Sequence, residues 1–250
     1  MAARPRFEEL AWRSTSIGEL SLRRRVEPTL GVDVYEVKLG DEFLMSSLFT
    51  VAEEELARLA LAELDEQAID VVVGGMGLGY TARTVLADAR VRSLIVVDLL
   101  EDVIDWQLRG LLPGAAELTE DPRTELVVGD FFARSASAAG FDANARGRGF
   151  HAILLDIDHS PRHVLDPANA RFYTEPGLRE LARHLLPGGL FALWSNDPPD
   201  EDFCAVARAV FSTVRAVEVS FPNFYTGSTS ANTIYLARRP RQLADGTSPA

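Results

Sequence analysis

The sequence has one cysteine, no long apolar run and no excess of basic residues, and each absence excludes a class of protein. Cys204 alone can form neither an internal disulfide nor a cysteine metal cluster. No segment approaches the roughly 18 consecutive apolar residues of a membrane-spanning helix, and the N-terminal stretch MAARPRFEEL lacks an apolar signal core. Lys and Arg number 25 against 37 Asp and Glu, and this net charge of −12 argues against nucleic-acid binding. We therefore expect a soluble cytoplasmic protein with neither a membrane nor a nucleic acid as partner.

The length of 250 residues and the apolar content of 47% fit one large domain with a small appendage. Strand-like segments between Ile17 and Met45 predict a small antiparallel β module within residues 1–50. Residues 51–240 predict a larger α/β domain, and residues 241–250 a disordered tail.

Two local patterns refine this division of the chain. Thr50 and Glu53 have the spacing of a capping box, which predicts the start of a helix that runs to about Leu64. The small, polar and glycine-rich residues 133–149 predict a mobile surface excursion between two strands.

The larger domain alternates short apolar strands with helical patterns, which predicts a doubly wound, mostly parallel sheet covered on both faces. No helical pattern separates the last two strands, so we expect them to form an antiparallel hairpin at the sheet edge. This ending is typical of S-adenosylmethionine (SAM)-dependent methyltransferase-like folds rather than of dinucleotide dehydrogenases. The seven predicted strands are IDVVV, SLIVV, TELVV, HAILLDI, GLFALWS, TVRAVEV and NTIYLA.

The stretch IDVVVGGMGLGY, from Ile69 to Tyr80, joins the first of these strands to a helix through a glycine-rich turn. Such a turn lets backbone amides and a helix N-terminus approach a nucleotide-like ligand. A tight packing turn between a strand and a helix also requires glycines, so the motif alone leaves both interpretations open. The predicted cofactor-binding glycines are Gly74, Gly75, Gly77 and Gly79.

Carboxylates follow several strands in succession, at the sheet edge where ligands of doubly wound folds bind. Asp98 can accept two ribose hydroxyls, and Asp130 can accept an adenine amino group while Phe131 or Phe132 covers a ring face. Asp130 could instead cap a helix. Asp156 can orient a nucleophilic amine, accept its proton or stabilise a sulfonium.

Further candidates surround the end of the fourth strand. Asp158 and His159 are predicted catalytic residues, with the histidine as a proton shuttle or a substrate contact. The spacing of the two aspartates with His159 and His163 fits no compact zinc pattern, so we expect no metal. The aromatic residues predicted to line the substrate cleft are Tyr80, Tyr173 and Trp194.

Taken together, these residues resemble the polyamine aminopropyltransferases, the spermidine synthases, and more closely their shorter bacterial relatives. The resemblance runs from about Trp12 to Ala237. It implies an N-terminal β module joined to a seven-stranded SAM-type domain, a homodimer, and a small-molecule amine substrate. It also implies that Asp98 binds ribose, that Gly129-Asp130 contacts adenine, and that Asp156 is the catalytic aspartate.

Departures from that family leave the transferred group and the acceptor open. In place of the family's N-terminal gate stands LMSSLFTVAEEE, in which only Glu53 is a possible match. Gly77 stands where spermidine synthases have an aspartate that helps hold the donor's aminopropyl amine. His159 stands where their catalytic loop has a second aspartate, and Asp158 comes one residue earlier. The overall resemblance favours aminopropyl transfer from decarboxylated SAM to an amine, whereas Gly77 favours methyl transfer from SAM to a small molecule. A non-catalytic nucleoside-binding protein is a third alternative.

Overall fold

The computed structural model describes residues 5–15 and 18–241, so the tail predicted for residues 241–250 lies, except for Arg241, outside the described residues. The first four strands form an antiparallel sheet in chain order. They are β1 (Phe7–Thr15), β2 (Gly18–Val26), β3 (Asp33–Leu39) and β4 (Glu42–Ser46). The sequence predicted the last three of them. None of the β1 side chains is buried, so this edge strand lacks the apolar stripe that would have revealed it.

The larger sheet has seven strands in the order β10-β11-β9-β8-β5-β6-β7. β11 is antiparallel to both of its neighbours, whereas the other neighbouring pairs are parallel. The predicted doubly wound sheet with an antiparallel hairpin near its edge is therefore confirmed. The strands are β5 (Ile69–Gly74), β6 (Val91–Asp98), β7 (Thr124–Val128), β8 (Phe150–Leu155), β9 (Leu185–Ser195), β10 (Thr213–Asn223) and β11 (Ser228–Arg238).

Helices cover both faces of this sheet. They are α1 (Val51–Ala62), α2 (Tyr80–Ala87), α3 (Glu101–Leu108), α4 (Ala115–Thr119), α5 (Phe131–Ala136), α6 (Glu175–Ala182) and α7 (Glu201–Arg208), and a 3₁₀ helix spans Pro167–Tyr173. No helix in the described ranges is long and apolar enough to cross a membrane.

The central strands are buried on both faces, and their alternating side chains feed two separate apolar cores. Val71 and Val73 of β5 join the core beneath α1 and α2, while Val72 between them joins the core beneath α6 and α7. This alternation follows from the period of two along a strand. It also explains why β5 reads as an uninterrupted apolar run.

The N-terminal sheet packs onto the larger sheet rather than standing apart. Leu20, Leu22 and Val37 belong to the same buried cluster as Leu56 of α1. The separation into residues 1–50 and 51–240 stays a prediction, because one apolar core includes side chains from both parts.

The structure corrects two local predictions. Thr50 precedes α1, but its side chain makes no hydrogen bond to a backbone amide and instead donates to Oε1 of Glu54 at 3.1 Å. The expected capping box is therefore absent, and the Glu53 side chain is not engaged in it. Residues 133–149 are not wholly a surface excursion, because α5 extends into them and Phe141 is buried among other aromatic rings.

Candidate active site

The glycine turn packs closely against the end of β8 and the start of α5. Gly75 has a φ of +93°, and a Cβ there would collide with the backbone carbonyl of Asp156. A Cβ on Gly74 would collide with the ring of Phe131. Only glycine fits at these two places, because the backbone of one strand end and an aromatic ring occupy the space of a side chain. The predicted binding residues Gly74 and Gly75 thus have a packing role, and ligand contact by the turn stays a prediction.

Gly77 differs from its neighbours because a Cβ there would make only an ordinary van der Waals contact. The nearest atom to a Cβ at this position is Sδ of Met45, at 3.5 Å, at the end of β4. The N-terminal sheet therefore reaches over the turn. Gly79, with a φ of +89°, is the last residue before α2.

Asp98 lies at the end of β6 and holds the glycine turn through its carboxylate. Oδ2 accepts a hydrogen bond from the amide of Met76, and Oδ1 accepts one from the amide of Leu100, both at 2.8 Å. Burial raises the pKa of Asp98, while these backbone amides act in the opposite direction. A carboxylate has about four acceptor positions, and the amides of Met76, Gly77 and Leu100 use three of them, so one remains. The predicted ribose contact is compatible with this geometry and stays a prediction.

Asp130 caps the helix that follows β7, as the alternative interpretation of this residue predicted. Its Oδ1 accepts hydrogen bonds from the amides of Phe132 and Ala133 at 2.8 and 3.1 Å. Asp130 remains exposed at the carboxyl edge of the sheet. Phe131, in contrast, is buried behind the glycine turn, whereas Phe132 is only half-buried. Of the two rings, Phe132 is the more accessible to a ligand.

Asp156 follows β8 and lies directly beside the glycine turn. Its amide donates to the carbonyl of Gly74 at 2.8 Å, and its Oδ2 accepts a hydrogen bond from Oγ1 of Thr81 at 3.2 Å. Burial raises the pKa of Asp156 to about 6, although the Thr81 hydroxyl lowers it. A carboxyl group with a pKa near neutrality is a better proton acceptor than an ordinary one.

Thr81, which the sequence did not indicate, and Glu53, a possible match to the family's N-terminal gate, complete this region. Thr81 is buried at the start of α2, and its Oγ1 also lies 3.2 Å from the carbonyl oxygen of Glu53. Burial and the Asp156 charge raise the pKa of Glu53 to about 8. The parallel pairing of β5 with β8 places Thr81 near Asp156, so the position of Thr81 two residues after Gly79 was the signal that could have revealed it.

Asp158 and Tyr173 contact each other in the protein interior. The hydroxyl of Tyr173 donates to Oδ2 of Asp158 at 2.8 Å, and both residues are buried. Oδ1 of Asp158 accepts from the amide of Leu165 at 2.7 Å and from Nδ2 of Asn169 at 3.0 Å. This carboxylate therefore holds the loop after β8 together. The predicted catalytic and substrate roles of the two residues stay predictions.

His159 and His163 face different surroundings. His159 is 39% exposed, and its Nε2 lies 3.6 Å from Oε1 of Glu42 on the N-terminal sheet. Nδ1 of His163 lies 2.9 Å from Oδ2 of Asp197. Within the described ranges, no group of three or more His, Cys, Asp or Glu side chains is arranged to hold a metal ion.

Tyr80 and Trp194 are the remaining predicted aromatic residues. Trp194 is half-buried against the core beneath α1, and its Nε1 has no hydrogen-bond partner in the described chain. The guanidinium of Arg83 lies over the ring of Tyr80, 4.5 Å from its centre. Tyr80 also lines a surface groove of about 650 Å³ between α1, α2 and α4. Because that groove includes neither Asp98 nor Asp156, we assign the chemistry to the strand ends rather than to the groove.

The sequence is similar to those of enzymes that modify polyamines. It is 27% identical over 184 residues to polyamine aminopropyltransferase 2 of Pseudomonas aeruginosa, covering 68% of this chain and 47% of that protein. It is 26% identical over 180 residues to putrescine N-methyltransferase 2 of Nicotiana tabacum, covering 70% of this chain and 47% of that protein. The chain thus spans about half the length of the curated relatives it matches. No protein-family model matches it.

The fold is similar to those of solved transferases. Spermidine synthase from Thermotoga maritima superimposes with a TM-score of 0.69 at 19% identity, covering 92% of this chain and 72% of that one. Human methyltransferase-like protein 13, solved with SAH, superimposes with a TM-score of 0.57 at 18% identity, covering 80% of this chain and 85% of that one. The predicted methyltransferase-like fold is therefore confirmed, and so is the resemblance to polyamine aminopropyltransferases and spermidine synthases that the strand-end residues indicated.

Proposed function

We propose that this chain is an alkyl-group transferase that moves the aminopropyl group of decarboxylated SAM onto an amine acceptor. The observation that carries this proposal is the position of Asp156, whose backbone packs against Gly75 and whose carboxyl group lies beside the glycine turn. A ligand bound along the turn would thus have its reacting end next to a carboxyl group of raised pKa.

The residues of the strand ends fit a nucleoside sulfonium donor. Asp98 keeps an acceptor position for a ribose hydroxyl, Asp130 and Phe132 lie at the next strand end, and a Cβ on Gly77 would meet no atom closer than 3.5 Å. When bound, the donor supplies a carbon attached to positively charged sulfur, which is already activated for displacement. The protein's contribution is to hold the acceptor nitrogen in line with that carbon and to exclude water.

Asp156 accepts the proton that the acceptor nitrogen must lose. A protonated amine has no lone pair for attack, so a neighbouring base is required. As the new N–C bond forms, the C–S bond breaks and its electron pair stays on sulfur. We assign His159, Tyr80 and Trp194 to the rim of the site, on the side where the acceptor amine binds. Asp158 and Tyr173 support the loop that carries Asp156.

The relatives support both parts of the proposal. The aminopropyltransferase and the putrescine N-methyltransferase are named for different transferred groups, but both names describe transfer to an amine. Methyl transfer from SAM is our second candidate, favoured by Gly77, because no carboxylate at that position is available to hold an aminopropyl amine.

The replacement Asp156→Asn tests the proposal. With decarboxylated SAM and 1,4-diaminobutane, we expect wild-type protein to release methylthioadenosine and the variant to lose about 10²–10⁴-fold in kcat, as removal of a general base does. Asp202→Asn is the matched control, because its carboxylate lies at the surface, 2.7 Å from Arg162. Unchanged turnover by Asp156→Asn would refute the catalytic assignment. If no donor were consumed although methylthioadenosine still bound, the non-catalytic alternative would replace the proposal.

We further propose that the protein is a cytoplasmic homodimer that pairs through the N-terminal sheet. Support comes from Phe7, Trp12 and Phe43 on that sheet, which are 56%, 47% and 53% exposed. Large exposed apolar side chains on one element often mark an interface. Light scattering should give twice the chain mass of 27.4 kDa. A monomer at all concentrations would contradict the proposed assembly.

A further inference from the structure

Two residues with carboxyl side chains, from different elements, lie beside the glycine turn. Glu53 lies in the first turn of α1, and Asp156 follows β8. Thr81 joins them, since its Oγ1 lies 3.2 Å from the carbonyl oxygen of Glu53 and 3.2 Å from Oδ2 of Asp156. A hydroxyl has only one proton to donate, so Thr81 fixes the two residues relative to each other without neutralising either charge.

The surroundings of this pair contain further negative charge and no compensating cation. Glu54, on the same helix, adds to the negative charge at Glu53, and neither member of the pair forms an ion pair with an Arg, Lys or His of the described residues. The two nearest arginines on the adjoining helices are engaged elsewhere. Arg58 pairs with Glu54 and Glu55, and Arg83 stacks on Tyr80 and donates to the carbonyl of Pro113.

The position of Glu53 is not explained by helix capping. A glutamate in the first turn of a helix normally stabilises the positive end of its dipole. Here the Thr50 side chain bonds Glu54, while Glu53 is half-buried and close enough to Asp156 for the Asp156 charge to raise its pKa. Such an arrangement is unfavourable in the free protein, and strained electrostatics of this kind are concentrated at functional sites.

We infer that Glu53 and Asp156 together bind the ammonium group of the acceptor amine, so that Glu53 is a second catalytic carboxyl group in the site. This inference rests on the proposed function. The ammonium donates hydrogen bonds to both carboxylates and supplies the positive charge that the pair lacks. Its proton then passes to the pair and on to solvent, the neutral nitrogen forms its bond to the donor carbon, and the C–S electron pair remains on sulfur.

Proton release on amine binding follows from this arrangement. Burial raises the pKa of Asp156 to about 6, and burial together with the Asp156 charge raises that of Glu53 to about 8, so the pair as a unit holds about one proton at pH 7. An ammonium bound between the carboxylates favours their charged forms. Binding of one amine at pH 7 therefore displaces about one proton.

Calorimetry in two buffers of different ionisation enthalpy measures this release directly. Wild-type protein with methylthioadenosine is titrated with 1,4-diaminobutane at pH 7, alongside Glu53→Gln, Glu53→Asp and the control Glu55→Gln. Glu55 is a fair control because it lies on the same helix and pairs with Arg58 at 2.8 Å. We expect wild type and the control to release about one proton on binding the amine. Glu53→Gln should bind the amine at least tenfold more weakly and release no proton. Glu53→Asp should recover part of both the affinity and the proton release.

Any of three outcomes would overturn the inference. Wild type that binds the amine without proton release, wild type that binds no amine, or Glu53→Gln that behaves as wild type would each contradict it. Circular dichroism of Glu53→Gln checks that the variant is folded, and Glu53→Asp provides the independent comparison if it is not. A protein that binds amine with proton release but forms no alkylated product would keep the inference and refute the proposed transfer.

Discussion

At the scale of single residues, the account depends on how burial and Thr81 set the pKa of Asp156, and on how the Asp156 charge acts on Glu53. Thr81 donates to the charged form of Asp156, whereas burial disfavours that form. Thr81 could not be predicted from the sequence as part of the site, and Glu53 could be indicated only as a possible match to the family's N-terminal gate. The sequence places Asp156 at a strand end, but the partners of its carboxyl group depend on how two helices pack over that end.

The replacement Thr81→Val should shift the pH dependence of turnover. Losing a hydrogen bond to the charged carboxylate raises the pKa of Asp156, and one such bond corresponds to about 0.5–1 pH unit. Because the base acts when deprotonated, the rising limb of kcat against pH should move upward by that amount. Thr84→Val is the control, since the Thr84 hydroxyl donates within its own helix to the carbonyl of Tyr80 at 2.9 Å. If the rising limb of kcat against pH were unchanged in Thr81→Val, Thr81 would have no influence on the catalytic base.

Glu53 should make the free protein less stable as the pH rises. Its pKa rises from an ordinary 4.5 to about 8 on folding, so the folded state binds the proton more tightly than the unfolded state. The resulting stability is fully present below pH 4.5 and is lost as the pH rises through about 8. Glu53→Gln should therefore be more stable than wild type at pH 9, by about 1–3 kcal/mol, and similar to it at pH 4.

Denaturant unfolding at the two pH values measures this difference. Glu55→Gln should change the unfolding free energy by no more than about 0.5 kcal/mol, because it removes only a surface ion pair. If Glu53→Gln were less stable than wild type at pH 9, the Glu53 carboxyl group would have a partner that this account omits.

At the scale of elements, the glycine turn was recognisable from its sequence, but the separate role of each glycine in it was not. Gly74 and Gly75 are required by the Phe131 ring and the Asp156 carbonyl, contacts that only the folded sheet creates. Asp156 and Asp158 share the spacing that would place both on one side of a strand. Because β8 ends at Leu155, that alternation no longer applies, and Asp158 turns into the interior toward Tyr173.

Gly77→Asp should shift the preference of the enzyme from SAM toward decarboxylated SAM as donor. Its φ of +48° is in the left-handed region, which aspartate tolerates better than most residues, and a Cβ there meets only Met45. A carboxylate above the turn attracts the aminopropyl amine of decarboxylated SAM and repels the carboxylate of SAM. We expect kcat/KM for decarboxylated SAM relative to SAM to rise at least tenfold, or about 1.4 kcal/mol.

Gly77→Ala is the matched control for this change, since it introduces the same backbone strain without a charge. Both donors are assayed with 1,4-diaminobutane for each variant. An equal loss with both donors in Gly77→Asp and Gly77→Ala would show that the donor's tail does not lie near this position.

At the scale of the whole molecule, the order of strands and helices could be predicted because buried strands and glycine turns have strong local patterns. The contact between the two sheets could not. The tip of the β10–β11 hairpin reaches the N-terminal sheet, where the Tyr225 hydroxyl donates to Oε2 of Glu27 at 2.6 Å and accepts from Arg25 at 3.0 Å. These residues are about 200 positions apart in the chain, so no local pattern reports their contact.

Tyr225→Phe tests this contact between the sheets. The ring stays packed beside Phe224 and Phe49, while its hydrogen bonds to the N-terminal sheet are lost. Calorimetry at pH 7 should show Tm lower by about 2–4 °C, the usual effect of one hydrogen bond in a domain of this size. An unchanged Tm would mean that the apolar core beneath α1 alone holds the sheets together.

The most direct measurement of the central claim is the nucleoside product formed from a mixture of the two donors. Wild-type protein is incubated with 1,4-diaminobutane and equal concentrations of decarboxylated SAM and SAM, and the nucleosides are quantified by mass spectrometry. The account predicts methylthioadenosine together with the aminopropylated amine, both absent with Asp156→Asn. S-adenosylhomocysteine as the sole nucleoside product would contradict aminopropyl transfer, and recovery of both donors unchanged would contradict the transferase itself.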